Sequence, residues 1–434
     1  MATPALQCVE QVDDTALQAR AVPATHERPA LLFLCHRIPY PPHKGDKIRA
    51  FHLLRHLSFH FDIYLASFVD DASDWQWAPE LKKHCREILL RPLTPWQATA
   101  RSLKGLFTGT PLSLPYYADP DMQSWVARTC GTRDIRHALV YSSVMAQFLP
   151  RGGNGFQRKV IDFVDVDSDK WHQYAARKPW PLSWLYEREA RCLLDHEEAM
   201  AADFDAGLFV SHEEAALFRR LSPQNAAKIS FFNNGVDFSY FDPGAAEPLQ
   251  NPFPAGCRAL VFTGAMDYWP NVDAVAWFAR TVLPALRAEY PALAFYIVGA
   301  EPSAKVRRLA ALPGVVVTGR VPDVRPYLKH ALAAVVPLRV ARGVQNKVLE
   351  AMAMAIPVLV SGKGLEGIDA EPGDHVLLAD SVADYRRGVR DILDGVHASL
   401  GTRARAHVQR AYDWEHSLSA VVRLLQPGEG ARHE

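Results

Sequence analysis

The sequence predicts an α/β protein built from two Rossmann-like domains whose parallel sheets face a central cleft. Three observations carry this prediction. The chain has 434 residues, which suits two cores of roughly 200 residues each better than one. Continuous apolar runs of strand length, such as LLFLC from Leu31, alternate with helical stretches, the pattern of parallel strands buried on both faces. A Pro- and Gly-rich stretch, FSYFDPGAAEPLQNPFPAGC at 238–257, separates two such blocks.

In the first block LLFLC is a strand and HRIPYPPHKG a loop. A helix follows over about 46–58, with Asp46 as N-cap and Ile48, Phe51, Leu54 and Leu57 recurring at three-residue spacing. FDIYLASF, ALVYSS, KVIDFV and AGLFVS read as further strands, with a helix over 181–201, and KISFFNNGVD closes the block. The second block alternates more cleanly. ALVFTGA, the long helix PNVDAVAWFARTVLPALRAEY, AFYIVGA, the helix SAKVRRLAAL, VVVTGR, a short helix at 326–330 and LAAVVPL come first. A helix containing VLEAM and the strands PVLVS and HVLLA then follow. The expected layout is a disordered tail at 1–28, a first Rossmann-like domain at 29–240 and a second at 241–403. A single helix at 404–426 packs back on the first domain, and 427–434 is a tail.

Composition narrows the function. Hydrophobic residues are 49% and charged residues 22%, as in a soluble enzyme, and the net charge of zero gives no electrostatic case for nucleic-acid binding. Six cysteines at 8, 35, 85, 130, 192 and 257 have no metal or disulfide spacing and read as reduced thiols of a cytoplasmic protein. No apolar run approaches the ~18–20 residues that span a bilayer, and 1–28 lacks the basic start and apolar stretch of a secretory signal.

The segment RGVQNKVLEAMAMAIPVLVS, from Arg342 to Ser361, concentrates the chemistry. It follows the apolar strand LAAVVPL, so its loop and helix start lie at a strand's carboxyl end, where open α/β sheets bind ligands. Gly343 permits close backbone approach, with Val344 and Gln345 beside it, and the free N–H groups of a helix start favour anions. Lys347 adds a point charge suited to a diphosphate. Glu350, one turn on, can accept two hydroxyl hydrogen bonds of a ribose. A solvated i,i+3 pair of no catalytic meaning is the alternative.

VLEAMAMAIPVLVS, with NNGVD at 233–237 and FVSHEEAALF at 209–218, resembles glycosyltransferase family 4, a retaining family of GT-B fold, over roughly residues 30–425. HRIPYPPHKGDKIRAFHLLRHL and FVDVDSDKW further resemble the exosortase-associated sugar transferases of bacterial exopolysaccharide loci. The resemblance implies a nucleotide-diphosphate sugar donor of UDP or GDP type and a glycan or lipid-linked acceptor, with no metal and no cofactor. It places Glu350 on the ribose, the helix start with Lys347 on the diphosphate, Gly319, Arg320 and Val321 on the base, and Lys44, Gly45 and Asp46 facing diphosphate and acceptor. The family carries a second glutamate eight residues earlier, where this chain has Arg342. Relatives also carry a basic pair after the first strand of the second lobe, and MDYWPNVDAV has neither Lys nor Arg, so Arg342 and Lys347 are expected to replace that clamp. An epimerase of the same fold and an inactive scaffold are the rival readings.

Three weaker patterns remain. FVDVDSD fails as an EF-hand because Lys170 stands where glycine is needed and Ala176 where glutamate is needed. Asp165 and Asp167 are instead expected in the cleft, orienting or deprotonating the acceptor hydroxyl, with simple helix capping as the alternative. His52, His56 and His60 share a helix face with Lys47, Arg49 and Arg55, a basic face for anionic lipid or plain solvent. Peripheral contact with the inner face of the cytoplasmic membrane follows as an expectation. RGGNGFQ at 151–157 precedes a strand and is a loop, not a dinucleotide fingerprint.

Overall fold

The computed structural model describes residues 28–42, 45–150, 155–176, 178–246, 248–341 and 343–426. Both tails, Lys44 and Arg342 lie outside the described residues.

The first lobe is a seven-stranded parallel sheet of β1 (Ala30–Cys35), β2 (Asp62–Val69), β3 (Glu87–Pro92), β4 (Ile135–Tyr141), β5 (Arg158–Val164), β6 (Ala206–Phe209) and β7 (Ile229–Phe231), in the order β3-β2-β1-β4-β5-β6-β7. The second holds β8 (Arg258–Thr263), β9 (Leu293–Val298), β10 (Val315–Gly319), β11 (Ala333–Val336), β12 (Val358–Val360) and β13 (Leu377–Leu378), in the order β10-β9-β8-β11-β12-β13, again all parallel. Each order reverses once, between β1 and β4 and between β8 and β11. Such a switch point opens a crevice beyond the strand ends. The apolar runs explain the burial: Leu31 to Cys35, and Leu260 to Phe262, are essentially sealed from solvent. β3 (EILLRP) was not among the expected strands, because its residues are only half-buried at the sheet edge and its apolar run is short.

Three expectations are corrected. The helix after β1 spans Gly45–Leu57, so Asp46 sits inside its first turn rather than capping it. The long helix of the second lobe is interrupted by a wide turn, Phe278–Val282, immediately before Leu283–Glu289. Pro284 has no N–H for a regular ladder, and the widened turn accommodates it. The final helix is two helices, Leu400–Ala411 and Trp414–Leu425. Asp413 caps the second through the Glu415 N–H at 2.9 Å, and Val236 donates to the Tyr412 carbonyl at the break.

The break carries the chain back to the first lobe. Trp414, Leu418, Val421 and Leu425 bury among Leu53, Leu57 and Tyr141 of the first lobe. NNGVD lies where the chain crosses twice: a Cβ on Gly235 would stand 2.7 Å from the Trp414 ring.

The basic face of helix Gly45–Leu57 is also corrected. It is neither lipid-facing nor solvated at its start. Lys47 pairs with Asp74 at 2.5 Å, Arg49 pairs with Asp162 at 2.8 Å under complete burial, and His52 stacks on Trp414 at 4.5 Å. Burial pushes the His52 imidazole down to about 3, so it is neutral. Among the described residues no helix is long and apolar enough to cross a membrane, and the five described cysteines are unpaired.

Candidate active site

The carboxyl ends of the two sheets enclose a cleft of about 1400 Å³. Asp46, Asp165, Asp167, Arg320, Val321, Val344, Gln345, Lys347 and Glu350 all line it, with Gly45 beside Asp46.

On the first-lobe wall, β1 runs into His36 and Arg37. Arg37 bridges Asp46 at 2.5 Å and Asp70 at 2.9 Å, and His36 stacks on Tyr141 with ring centroids 5.6 Å apart. Burial alone would raise the Asp46 carboxyl, but the His36 hydrogen bond and the Arg37 charge hold it well below the carboxylate range. Asp46 therefore shapes the loop through fixed partners.

At the end of β5 the backbone turns sharply. Val164 has φ 72°, a left-handed conformation that a β-branched residue avoids, and the register with β6 slips there. Asp162 accepts the Val164 N–H at 3.1 Å and fixes the turn. Its consequence is position: Asp165 reaches toward the second lobe, its Oδ1 3.5 Å from where a Cβ on Gly343 would lie. Gly343, at φ 63°, gives the room a side chain would take. Asp167 opens helix Asp167–Ala175, whose N-cap position is Val166, so neither aspartate caps it. Beneath Asp167, Ser168 donates its hydroxyl to Glu197 at 2.6 Å. Burial first, and then the Asp167 charge, push the Glu197 carboxyl up to about 8.

On the second-lobe wall, backbone approaches backbone. A Cβ on Gly299 would fall 1.7 Å from the Gly264 carbonyl, so β8 and β9 end in a bare glycine floor. Asn271 donates to the Ala265 carbonyl at 2.9 Å and accepts from Lys347 Nζ at 2.8 Å. Lys347 also stands 4.9 Å from the Phe262 ring centroid. Burial pushes the Lys347 ammonium down to about 8, against the pull of Glu350, and pushes the Glu350 carboxyl up to about 7, against the pull of Lys347. Helix Asn346–Ala353 receives no side-chain cap from Gln345, whose amide donates to the Gly343 carbonyl at 3.0 Å. An anion at that helix start would meet backbone N–H groups and one ammonium together.

Gly319, at φ 72°, ends β10, and Val321 follows into the cleft; Arg320 is largely exposed, 3.7 Å from Glu301. Facing them, Tyr240 donates to Asp323 at 3.1 Å beneath the Arg325 guanidinium.

Sequence reasoning missed Lys170, Asn271, Asn234 and Tyr240 as cleft residues. Lys170 pairs with Asp167 at 3.6 Å; burial opposes its charge, but Asp167 and Asp165 outweigh that and raise its pKa. Its spacing of three from Asp167 on a helix was a usable signal. Asn271, a polar residue in the apolar run PNVDAVAW, was another.

Comparison with known proteins bears on the fold and on the second lobe. Residues 257–394 match the family model described as glycosyl transferases group 1. The chain is similar in structure to sucrose-phosphate synthase from Thermosynechococcus elongatus, with TM-score 0.66 and 18% identity over 92% of this chain and 99% of that one. It is similar to Anabaena HepE in complex with UDP-glucose, with TM-score 0.59 and 13% identity over 92% and 100%. WaaG, a glycosyltransferase involved in lipopolysaccharide biosynthesis, gives TM-score 0.62 and 15% identity over 92% and 100%. No curated protein matches the chain in sequence. The architecture is GT-B, and the second lobe carries the match to the glycosyl transferases group 1 model.

Proposed function

We propose that the protein is a retaining glycosyltransferase that moves a sugar from a UDP- or GDP-type nucleotide sugar to a hydroxyl of a glycan or lipid-linked acceptor in exopolysaccharide biosynthesis. The observation that carries this is the uncapped start of helix Asn346–Ala353, facing the cleft with Val344, Lys347 and Glu350. The bound UDP-glucose of a similar fold supports the donor class. The motifs HRIPYPPHKG and FVDVDSDKW support the exopolysaccharide placement.

In this reading the helix start and Lys347 hold the diphosphate, with Arg342 beside them in sequence. Glu350 takes the ribose hydroxyls, and Gly319 to Val321 border the base. The bond from the anomeric carbon to the donor phosphate oxygen breaks, and the acceptor oxygen bonds that carbon on the same face. The acceptor proton passes to the departing phosphate oxygen, while Asp165 and Asp167 orient the acceptor hydroxyl. The reaction takes no metal and no cofactor. Lys347 lies in desolvated surroundings, where its charge acts most strongly on a developing phosphate charge.

A thermal-shift panel of nucleoside diphosphates and nucleotide sugars tests the donor; a ligand at a hundred times its Kd adds about 2.7 kcal/mol. With the donor known, the anomer of the product and the survival of activity in EDTA test stereochemistry and metal independence. No shift with any nucleotide, or an inverted product, would overturn the reading.

A further inference from the structure

We propose that an aromatic and basic surface on the first lobe docks the protein on an anionic lipid bilayer. The inference rests on the lipid-linked form of the acceptor proposed above. It locates the membrane contact away from the helix on which the sequence suggested it.

The surface is the most exposed apolar ground of the lobe. Trp180 is 80% exposed, Trp184 57% and Leu182 44%, on the connection into and the first turn of helix Leu182–Asp203. Trp96 is 71% exposed and Leu103 55%, at the two ends of helix Pro95–Ser102. Spaced seven residues apart, these two lie on one helix face. The groups adjoin. Arg188, one turn after Trp184, donates to the carbonyls of Gly105, at 2.5 Å, and Thr110, at 3.3 Å, and Gly105 is two residues from Leu103.

Charge selects the partner. From Pro95 to Ala118 the sequence contains Arg101 and Lys104 but no Asp or Glu, and from Lys170 to Tyr186 it again contains no Asp or Glu. Lys104 and Lys178 are exposed. The next acid, Glu187, is engaged by His172 at 2.9 Å. Protruding tryptophans flanked by unopposed lysines suit the headgroup layer of an anionic membrane, which takes an indole at its boundary and a cation at its phosphates. Isolated exposed apolar residues need no explanation, but five large ones on adjoining elements do.

Position ties the surface to the cleft. The same elements, or ones packed on them, line the cleft wall: Ser113 and Tyr117 from the helix packed on Pro95–Ser102, and Lys170 and Trp171 from helix Asp167–Ala175. Trp171 meets Tyr186 edge-on at 5.0 Å. A bilayer held against this surface presents a lipid-linked hydroxyl beside the wall that carries Asp165 and Asp167.

The test is flotation of the full chain with phosphatidylcholine vesicles, with and without phosphatidylglycerol, in the absence of nucleotide. The wild type is expected to float only with the anionic vesicles and to be released by salt. Trp180→Ser/Trp184→Ser and Lys104→Glu/Lys178→Glu are each expected to lower the bound fraction more than about tenfold. Both should keep the wild-type thermal shift with UDP or GDP, whichever stabilises the wild type. Failure of the wild type to float, or variants that float as well as it does, overturns the proposal. So does a self-associating wild type that Trp180→Ser/Trp184→Ser turns monomeric without any vesicle effect, which would make the surface an interface between copies. A wild type that shifts with no nucleotide, UDP or GDP, would instead count against the donor-site reading, so the two failures are distinguishable.

Discussion

Asn234 joins the lobes at the candidate site: its Nδ2 donates to Oδ1 of Asn346, the first residue of the cleft-facing helix, at 3.4 Å. Asn234 Oδ1 in turn accepts from Arg49 at 3.1 Å, and Arg49 pairs with Asp162, which holds the Val164 turn. One buried chain of polar groups therefore links the aspartates of one wall to the helix start of the other.

Removing Arg49 tests that chain. Arg49→Met leaves Asp162 buried without a counter-charge, and such a break costs about 3–5 kcal/mol. Arg49→Met/Asp162→Asn should recover much of the loss, because the uncompensated charge is gone. Urea denaturation reads both. A cost for Arg49→Met under about 1 kcal/mol would show that water already reaches the pair.

Gly235→Ala tests the crossing of the chain. The added Cβ would meet both the Trp414 ring and its backbone nitrogen, at 2.7 and 2.8 Å, and neither is the loose end of a flexible side chain. A loss of about 1–3 kcal/mol is expected, by thermal or urea unfolding, as the Trp414 helix shifts off the first lobe. An unchanged midpoint would mean that this helix docks loosely.

How far the sequence foretold the structure depended on what each residue faces. The apolar strands LLFLC and ALVFTGA were legible because parallel strands sealed on both faces leave continuous runs. The helix start at Asn346 was legible because Gly343, Lys347 and Glu350 keep a local spacing. Arg49 and Lys47 were not: a basic residue on an amphipathic helix reads as surface, and only the fold brings Asp162 and Asp74 against them. Lys170 was seen only as the residue that spoils an EF-hand. Tyr268, from the second lobe, comes near it only when the lobes face each other.

Lys170 supplies a cation to the cleft opposite a loop, Thr263 to Trp269, that contains no Lys or Arg. If it meets the diphosphate or the acceptor hydroxyl, a charged hydrogen bond of about 1.5–3 kcal/mol is at stake, so Lys170→Ala should lower kcat/KM about 10- to 150-fold. Lys170→Arg should recover part of it. Stability should hardly change, because the side chain borders open space. Wild-type kinetics in the alanine variant would reduce Lys170 to a partner of Asp167.

The Lys347–Glu350 pair makes the site pH-dependent in a direction that can be worked out. Glu350 in the folded chain keeps its proton up to about 7, whereas its ordinary value is 4.5, so its contribution to stability falls as pH rises between those values. Lys347 gives up its proton near 8 instead of 10.5, so its contribution recovers as pH rises through that window. The two are both charged, and least comfortable, between about 7 and 8, which is where a diphosphate and a ribose would use them. Nucleotide affinity should therefore weaken on the acid side as Glu350 protonates and on the alkaline side as Lys347 discharges. A bound diphosphate should raise the lysine and move the alkaline limb upward. Calorimetric titration of UDP across the range measures both limbs. The nucleotide's own phosphate titrates on the acid side, so the part of that limb assigned to Glu350 is the part that Glu350→Gln removes. Lys347→Met should abolish the alkaline limb and weaken binding about 10- to 150-fold, the range of one charged hydrogen bond. Wild-type and Glu350→Gln profiles that superimpose would remove Glu350 from the ribose site.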